Sequence, residues 1–180
     1  MNKMLIETLN LKLIPCDIEI LNSAIKGNEF IAQKLNVTVQ DNWTEFGIGP
    51  LQYSLDKLSE SEDEKGWLAY FPIHKQENKL IGNCGYKGKP TTEGTVELGY
   101  EIAPTYRNRG LASEIAEGLI KNAFKDQRVK SIIAHTLREE SPSTMILKKF
   151  GFDRVQEIND PDDGLIWRWE LKDNKKSPNR

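Results

Sequence analysis

Cysteine and histidine are scarce in this chain, with two of each among 180 residues. Cys16 and Cys84 are too few for a disulfide framework, and His74 and His135 stand at no short spacing, so no metal site is expected. Long apolar runs are absent as well. Nothing approaches the roughly 20 residues that span a bilayer, and the stretch after Lys3 is broken by Glu7, Thr8 and Asn10, so no signal peptide is expected. An excess of positive charge is also missing. Lys and Arg number 25 against 27 Asp and Glu, a formal charge of −2, which argues against a nucleic-acid partner because phosphate neutralisation needs a basic stripe. What is left is a lean globular composition, 38% hydrophobic, in a chain long enough to bury roughly 70% of its unfolded surface. The expectation is one cytoplasmic domain over residues 1–171, monomer or homodimer, with a polar tail over 172–180.

Periodicity orders the first half. Leu9, Leu11 and Leu13 alternate with polar residues as in a half-buried strand, which Pro15 ends. Asp17 can cap a helix whose apolar face is Ile18, Leu21, Ala24 and Ile25 and whose stop is Gly27. A second short helix is expected through Phe30, Ile31 and Leu35. Residues 36–49 have no clear period but hold Trp43 and Phe46, so an ordered loop is expected. Pro50 suits the first turn of a helix carrying Leu51, Leu55 and Leu58, and residues 59–66 read as a solvated loop. Trp43, Trp67, Trp167 and Trp169 are expected in the core or a pocket wall, with Trp43, in its irregular loop, alternatively lining a binding site.

The middle of the chain reads as strands. Apolar runs at 67–73 and 80–86 flank a polar turn and form a hairpin, in which Gly82, Gly85 and Gly88 point to a bulge or a close backbone approach. In the strand over 95–103, Val96, Leu98, Tyr100 and Ile102 share one face, and Glu97, Gly99 and Glu101 the other. Two carboxylates on one strand face are costly to bury without a use or a partner.

Directly after that strand comes Pro104-Thr105-Tyr106-Arg107-Asn108-Arg109-Gly110-Leu111-Ala112-Ser113-Glu114. An amphipathic helix starts near Arg109, with Leu111, Ile115, Leu119, Ile120, Ala123 and Phe124 on its apolar face. The free amides of its first turn, the helix dipole, Gly110 and two arginines could cradle a diphosphate, or the arginines could simply be solvated. A Walker loop is excluded because no Lys follows Gly110, and a dinucleotide fingerprint because it needs three spaced glycines.

Arg107-x-x-Gly110-x-Ala112 resembles the Q/R-x-x-G-x-G/A acetyl-CoA signature of the GNAT superfamily of N-acetyltransferases. The surroundings are similar to its ribosomal-protein N-terminal acetyltransferase-like branch: Glu97-Leu98-Gly99-Tyr100 before the motif, Gly85-Tyr86-Lys87-Gly88-Lys89-Pro90 in the hairpin, and Ala134-His135-Thr136 after it. Glu140-Ser141-Pro142-Ser143 then stands where the branch has N-x-x-S, and Ile146-Leu147-Lys148-Lys149-Phe150-Gly151-Phe152 where it has a K-x-G-F segment.

The resemblance implies a mixed α/β fold. Its central, mostly antiparallel sheet has about six or seven strands flanked by about four helices, and its strands four (95–103) and five (130–137) splay apart. It implies acetyl-CoA as co-substrate and a primary amine, small molecule or peptide N-terminus, as acceptor. The implied cofactor contacts are Tyr100 and Ile102 for the pantetheine, and Arg107, Arg109, Gly110, Leu111, Ala112 and Ser113 for the diphosphate. Glu140, Ser143 and Lys149 complete that set. Glu97 is the first choice of general base and Glu101 the second, each with the alternative of an ordinary ion pair. The chain departs from the pattern at two places. Leu147 stands where many members have the Tyr that protonates the leaving thiolate, so Ser143 is the remaining hydroxyl for that sulfur, unless it only caps a helix. Glu140 replaces the usual Asn. His135 is expected as a strand-face residue. A CoA-binding sensor that has lost turnover remains the alternative to an enzyme.

Overall fold

A computed structural model describes residues 5–174. In chain order its elements are β1 (Ile6–Glu7), β2 (Leu11–Pro15), α1 (Ile18–Lys26), α2 (Asn28–Leu35), β3 (Thr38–Val39), α3 (Gly49–Glu60), β4 (Ala69–His74), β5 (Lys79–Leu80) and β6 (Gly82–Tyr86). β7 (Thr95–Ile102), α4 (Leu111–Phe124), β8 (Ser131–Leu137), α5 (Pro142–Lys149), β9 (Asp153–Asp160) and β10 (Gly164–Lys172) follow. The strands make one sheet in the order β1-β2-β4-β6-β7-β8-β10-β9, with β5 on β4 and β3 on β5 as side pairs. Along that path only β7 and β8 are parallel, because α4 carries the chain back between them. The ten strands exceed the expected six or seven because β1, β3 and β5 are two-residue pieces.

Alternation on β4 shows how the sheet divides two cores. Tyr70 points into a cluster with Leu98, Leu111, Ile115 and Leu119 under α4. Phe71 and Ile73 point into another with Leu21, Ile31 and Leu51 under α1, α2 and α3. Both faces being covered, β4 is buried along nearly its whole length, which is why its sequence reads as a continuous apolar run. Full burial of a Leu or Ile such as Leu21 or Ile115 contributes about 1.5–3 kcal/mol.

The helix ends follow local chemistry. Asp17 accepts the Ile20 amide and caps α1, and Ser141 with Thr144 forms a capping box on α5. Leu9 departs from its expectation: it is 87% exposed, outside any strand. The cause is Glu114 of α4, whose carboxylate accepts the Asn10 amide at 2.6 Å and the Thr8 hydroxyl, folding 8–10 into a turn. Residues 59–66 are also more regular than expected, since α3 runs to Glu60 and Ser61 starts a short 3₁₀ turn. The loop after β3 is ordered by Trp43, which donates to Asn28 at 3.0 Å and packs edge-on against Phe71; it belongs to the core. β10 runs to Lys172, and the rest of the expected tail, 175–180, lies outside the described residues. Among the described residues no helix is long and apolar enough to cross a membrane.

Candidate functional site

β7 and β8 pair only at Thr95, Val96 and Glu97, opposite Ser131, Ile132 and Ile133. Beyond Glu97 they share no further pair, so Leu98–Ile102 and Ala134–Leu137 border a gap. β7 is held on its other side by β6, from Tyr86↔Leu98 to Gly82↔Ile102, and β8 by β10. The gap is therefore a rigid feature with two supported banks.

Three buried side-chain polar atoms lack a hydrogen-bond partner among the described residues: Asn83 Oδ1, the Tyr100 hydroxyl and Arg168 Nε. They stand on β6, β7 and β10, the central strands around the gap. Buried orphans are few in native proteins and call for a reason. Contact with a ligand is one.

On the face towards α3 lies a cavity of about 430 Å³, lined among others by Phe46, Pro50, Tyr53, Asn83, Gly85, Gly99 and Glu101. Its floor is low because Gly85 and Gly99 are paired across β6 and β7. Gly85 has no alternative: φ is +139° and a Cβ would sit 2.1 Å from the Leu68 carbonyl oxygen. Gly82 meets the same limit, 2.2 Å from the Glu101 carbonyl, so the expected close backbone approach is real at both.

The two carboxylates have different occupations. Glu97 accepts from Lys87 Nζ at 2.5 Å and lies 2.9 Å from His135 Nδ1. Glu101 accepts from the Thr44 hydroxyl, the Glu45 amide at 2.9 Å and the Phe46 amide at 3.4 Å, which fastens the loop before α3 over the cavity. Both stand on the face that strand alternation assigns them.

At the end of β7 the chain makes a 3₁₀ turn at Pro104–Tyr106, then passes Asn108 at φ +60° and Gly110 at φ +75° into α4. Unlike α1 and α5, α4 has no side-chain cap, and a Cβ on Gly110 would meet nothing within 4 Å. The first-turn amides of Leu111, Ala112 and Ser113 thus have no intrahelical partner. Lys149 Nζ donates to Ser113 Oγ at 2.8 Å, bringing a cation from α5 to that turn. Both arginines have carboxylate partners: Arg107 is paired with Glu45, and Arg109 with Glu77 at 3.6 Å while stacked on Tyr106. Burial, together with Glu77, pushes the Tyr106 phenol up to about 12.

On α5 the cap is Ser141, so Ser143 is not spent on capping. Glu140 is turned to its own helix, accepting from Lys148 at 2.7 Å and from the Thr144 hydroxyl at 3.2 Å. Leu147 is buried in the core under α4 and offers no proton. Burial pushes the Tyr100 phenol up to about 12, partly opposed by the Ser143 hydroxyl beside it. Among the described residues no cluster of His, Cys, Asp and Glu could hold a metal ion.

Sequence reasoning named Glu97, Glu101, Gly110 and Ser143 but missed Lys87 and Asn83, the bond between Glu97 and His135, and the Tyr100 hydroxyl. Lys87 was findable: counting outward from the turn at 92 sets it opposite Glu97, a cross-strand pair of opposite charge. His135 was not, because the β7–β8 register is set by α4 and the sheet.

A family profile described as an acetyltransferase (GNAT) domain matches residues 27–153. An uncharacterized N-acetyltransferase, YjdG of Bacillus subtilis, is 26% identical over 149 residues, covering 82% of this chain and 89% of its own length. The same fold occurs in the crystal structure of ribosomal-protein-S5-alanine acetyltransferase from Vibrio fischeri (TM-score 0.69, 16% identity, 97% of this chain and 99% of that one). It also occurs in a chimera of the spermidine N-acetyltransferase SpeG from Vibrio cholerae and hSSAT (TM-score 0.64, 15% identity, 91% and 96%).

Proposed function

Since the chain belongs to the GNAT family of acetyltransferases, we propose that it moves the acetyl group of acetyl-CoA to a primary amine by direct attack in a ternary complex. One observation carries this reading: the two banks of the β7–β8 gap part after Glu97 and lead to the uncapped first turn of α4. A pantetheine arm needs unpaired strand edges, and a diphosphate needs free amides. The residues present fit both. Gly110, Leu111, Ala112 and Ser113 would hold the diphosphate with Lys149 beside them, and the backbone of Tyr100 and Ile102 would meet the arm. Arg107 and Arg109 serve here only by exchanging Glu45 and Glu77 for phosphate.

The acceptor enters on the other face, through the cavity over Gly85 and Gly99. Asn83 Oδ1, an acceptor without a donor, suits an incoming ammonium group. Glu101 is committed to the loop amides, so the proton is taken at Glu97, whose anion Lys87 and His135 hold in place. Little base is needed when the amine is an α-amino group, which costs about 3.4 kcal/mol less to deprotonate at neutral pH than a lysine side chain. The acceptor is thus a peptide N-terminus or a small amine. A CoA-binding sensor is the second reading, favoured by Leu147 at the position of the family's acid.

The test is thiol release from acetyl-CoA across N-terminal peptides, polyamines and aminoglycosides. Turnover on any of them supports the enzyme; CoA stabilising the fold with no turnover on the whole panel makes it a sensor.

A further inference from the structure

The hydroxyl of Tyr100 has no part in the reading above. We propose that it is the hydrogen-bond donor that meets the thioester sulfur as the carbon–sulfur bond breaks, filling the role that Leu147 cannot. The inference rests on acetyl-CoA being the donor substrate.

Three observations carry it. Tyr100 stands on β7 past Glu97, where β8 no longer pairs, so it belongs to the bank of the gap. Strand alternation sends its side chain from β7 toward the core under α4, against which it packs, while the residue also borders the cavity over Gly99 and Glu101. Its hydroxyl is enclosed, makes no hydrogen bond of regular geometry among the described residues, and has the Ser143 hydroxyl, in the first turn of the α5 that follows β8, as its near polar neighbour. The Tyr100 side chain thus spans from one bank to the element that continues the other, and what lies between them passes its hydroxyl. A buried phenol without an acceptor is costly to maintain. A sulfur gathering negative charge is the acceptor it lacks.

The step balances without proton loss from Tyr100. The amine nitrogen bonds the acetyl carbon, the C–S bond breaks with its electron pair on sulfur, and the excess amine proton goes to Glu97. Because the phenol is raised to about 12 while a thiol titrates near about 8.5, transfer of the phenolic proton would run uphill. The hydroxyl therefore stabilises the thiolate by hydrogen bonding, and water protonates the sulfur after release.

The test compares Tyr100→Phe with the unaltered protein in turnover and in calorimetric binding of CoA and desulfo-CoA between pH 6.5 and 9.5. Expected is a fall in kcat of about 10- to 100-fold with little change in KM for acetyl-CoA. The unaltered protein should prefer CoA over desulfo-CoA increasingly as the thiol ionises, and Tyr100→Phe should erase about tenfold of that preference. A kcat within twofold of the parent, equal loss of both ligands, or no pH-dependent preference in the unaltered protein overturns the assignment. The last readout needs no variant. An unaltered protein that binds neither ligand overturns the acetyl-CoA reading itself, which is a different outcome from binding both alike.

Discussion

Replacing Gly110 by Asn separates the proposed diphosphate cradle from the fold that presents it. Gly110 has φ +75°, and a Cβ there would project into space with no atom within 4 Å. Two consequences can be kept apart. Backbone strain is small for Asn, which visits the left-handed region routinely, whereas Ala pays about 1–2 kcal/mol. Obstruction is the same for both, because any side chain enters the space before the amides of Leu111, Ala112 and Ser113. Hydrogen bonds from amides to a charged group contribute about 1.5–3 kcal/mol each, so losing one of them weakens CoA binding by about 10- to 100-fold. The assay is titration calorimetry with CoA and with pantetheine, which has no diphosphate, beside a thermal melt. Expected is a raised Kd for CoA, an unchanged one for pantetheine, and a Tm within about 3 °C of the parent. If Gly110→Asn binds CoA as tightly as the parent, or weakens pantetheine as much as CoA, the diphosphate does not sit on α4.

Glu97→Gln should lower kcat chiefly at low pH, where more of the amine is protonated and a base matters most; an unchanged pH profile would make Glu97 only the tie between Lys87 and His135. Gly85→Ala should destabilise by about 3 kcal/mol in urea unfolding, since overpacking adds to an unfavourable φ, while Gly99→Ala, with no neighbour within 4 Å, should unfold like the parent and raise KM for the amine; equal effects on stability would refute the geometry of the cavity floor. At Glu114, burial favours the neutral acid, but bonds from Thr8, Asn10 and Leu11 outweigh it and hold the carboxyl below its usual range. Its contribution is therefore present above about pH 4.3 and lost as pH falls through the lowered value, so Glu114→Gln should cost about 1–2 kcal/mol at pH 7 and progressively less in acid. A pH-independent difference in Tm would remove the carboxylate as the cause.

The fold was legible wherever a local rule decides. Asp17, Gly27 and Pro50 mark helix ends that need no tertiary context, and the β7 alternation assigned Glu97 and Glu101 to one face correctly. Leu9 was misread because its neighbours fit period 2 while a carboxylate more than 100 residues away, Glu114 at a separation of 104 from Asn10, decides the turn. The start of α4 was legible for the same reason as the other helix ends: Gly110 before an amphipathic run is a local signal. The acid-and-base side of the site was less so. A strand pattern shows which residues share a face but not which other strand brings partners to that face, so His135 looked like an ordinary strand residue. Nor can alternation reveal that a hydroxyl on the core side, such as Tyr100, ends without a partner.

These pairings also change what the near-neutral charge of −2 means for the site. A first expectation is a cationic cofactor end made by Arg107 and Arg109, but each already faces a carboxylate, Glu45 and Glu77. Exposed pairs of this kind contribute only about 0–1 kcal/mol, so exchanging them for phosphate costs little and adds little. In the proposed reading the attraction for a diphosphate then rests on α4, whose amides are fixed and require no rearrangement, with Lys149 as the adjoining cation. The same reasoning applies on the opposite face. Glu101 is held by loop amides and Glu97 by Lys87, so in the proposed reading an incoming ammonium would meet a preorganised acceptor in Asn83 rather than a free acid. A site built this way discriminates by position more than by net charge. It should therefore hold CoA with a weak salt dependence, and a steep fall in CoA affinity between 50 and 200 mM salt, on the order of that seen for multi-lysine phosphate sites, would return the weight of binding to the arginines.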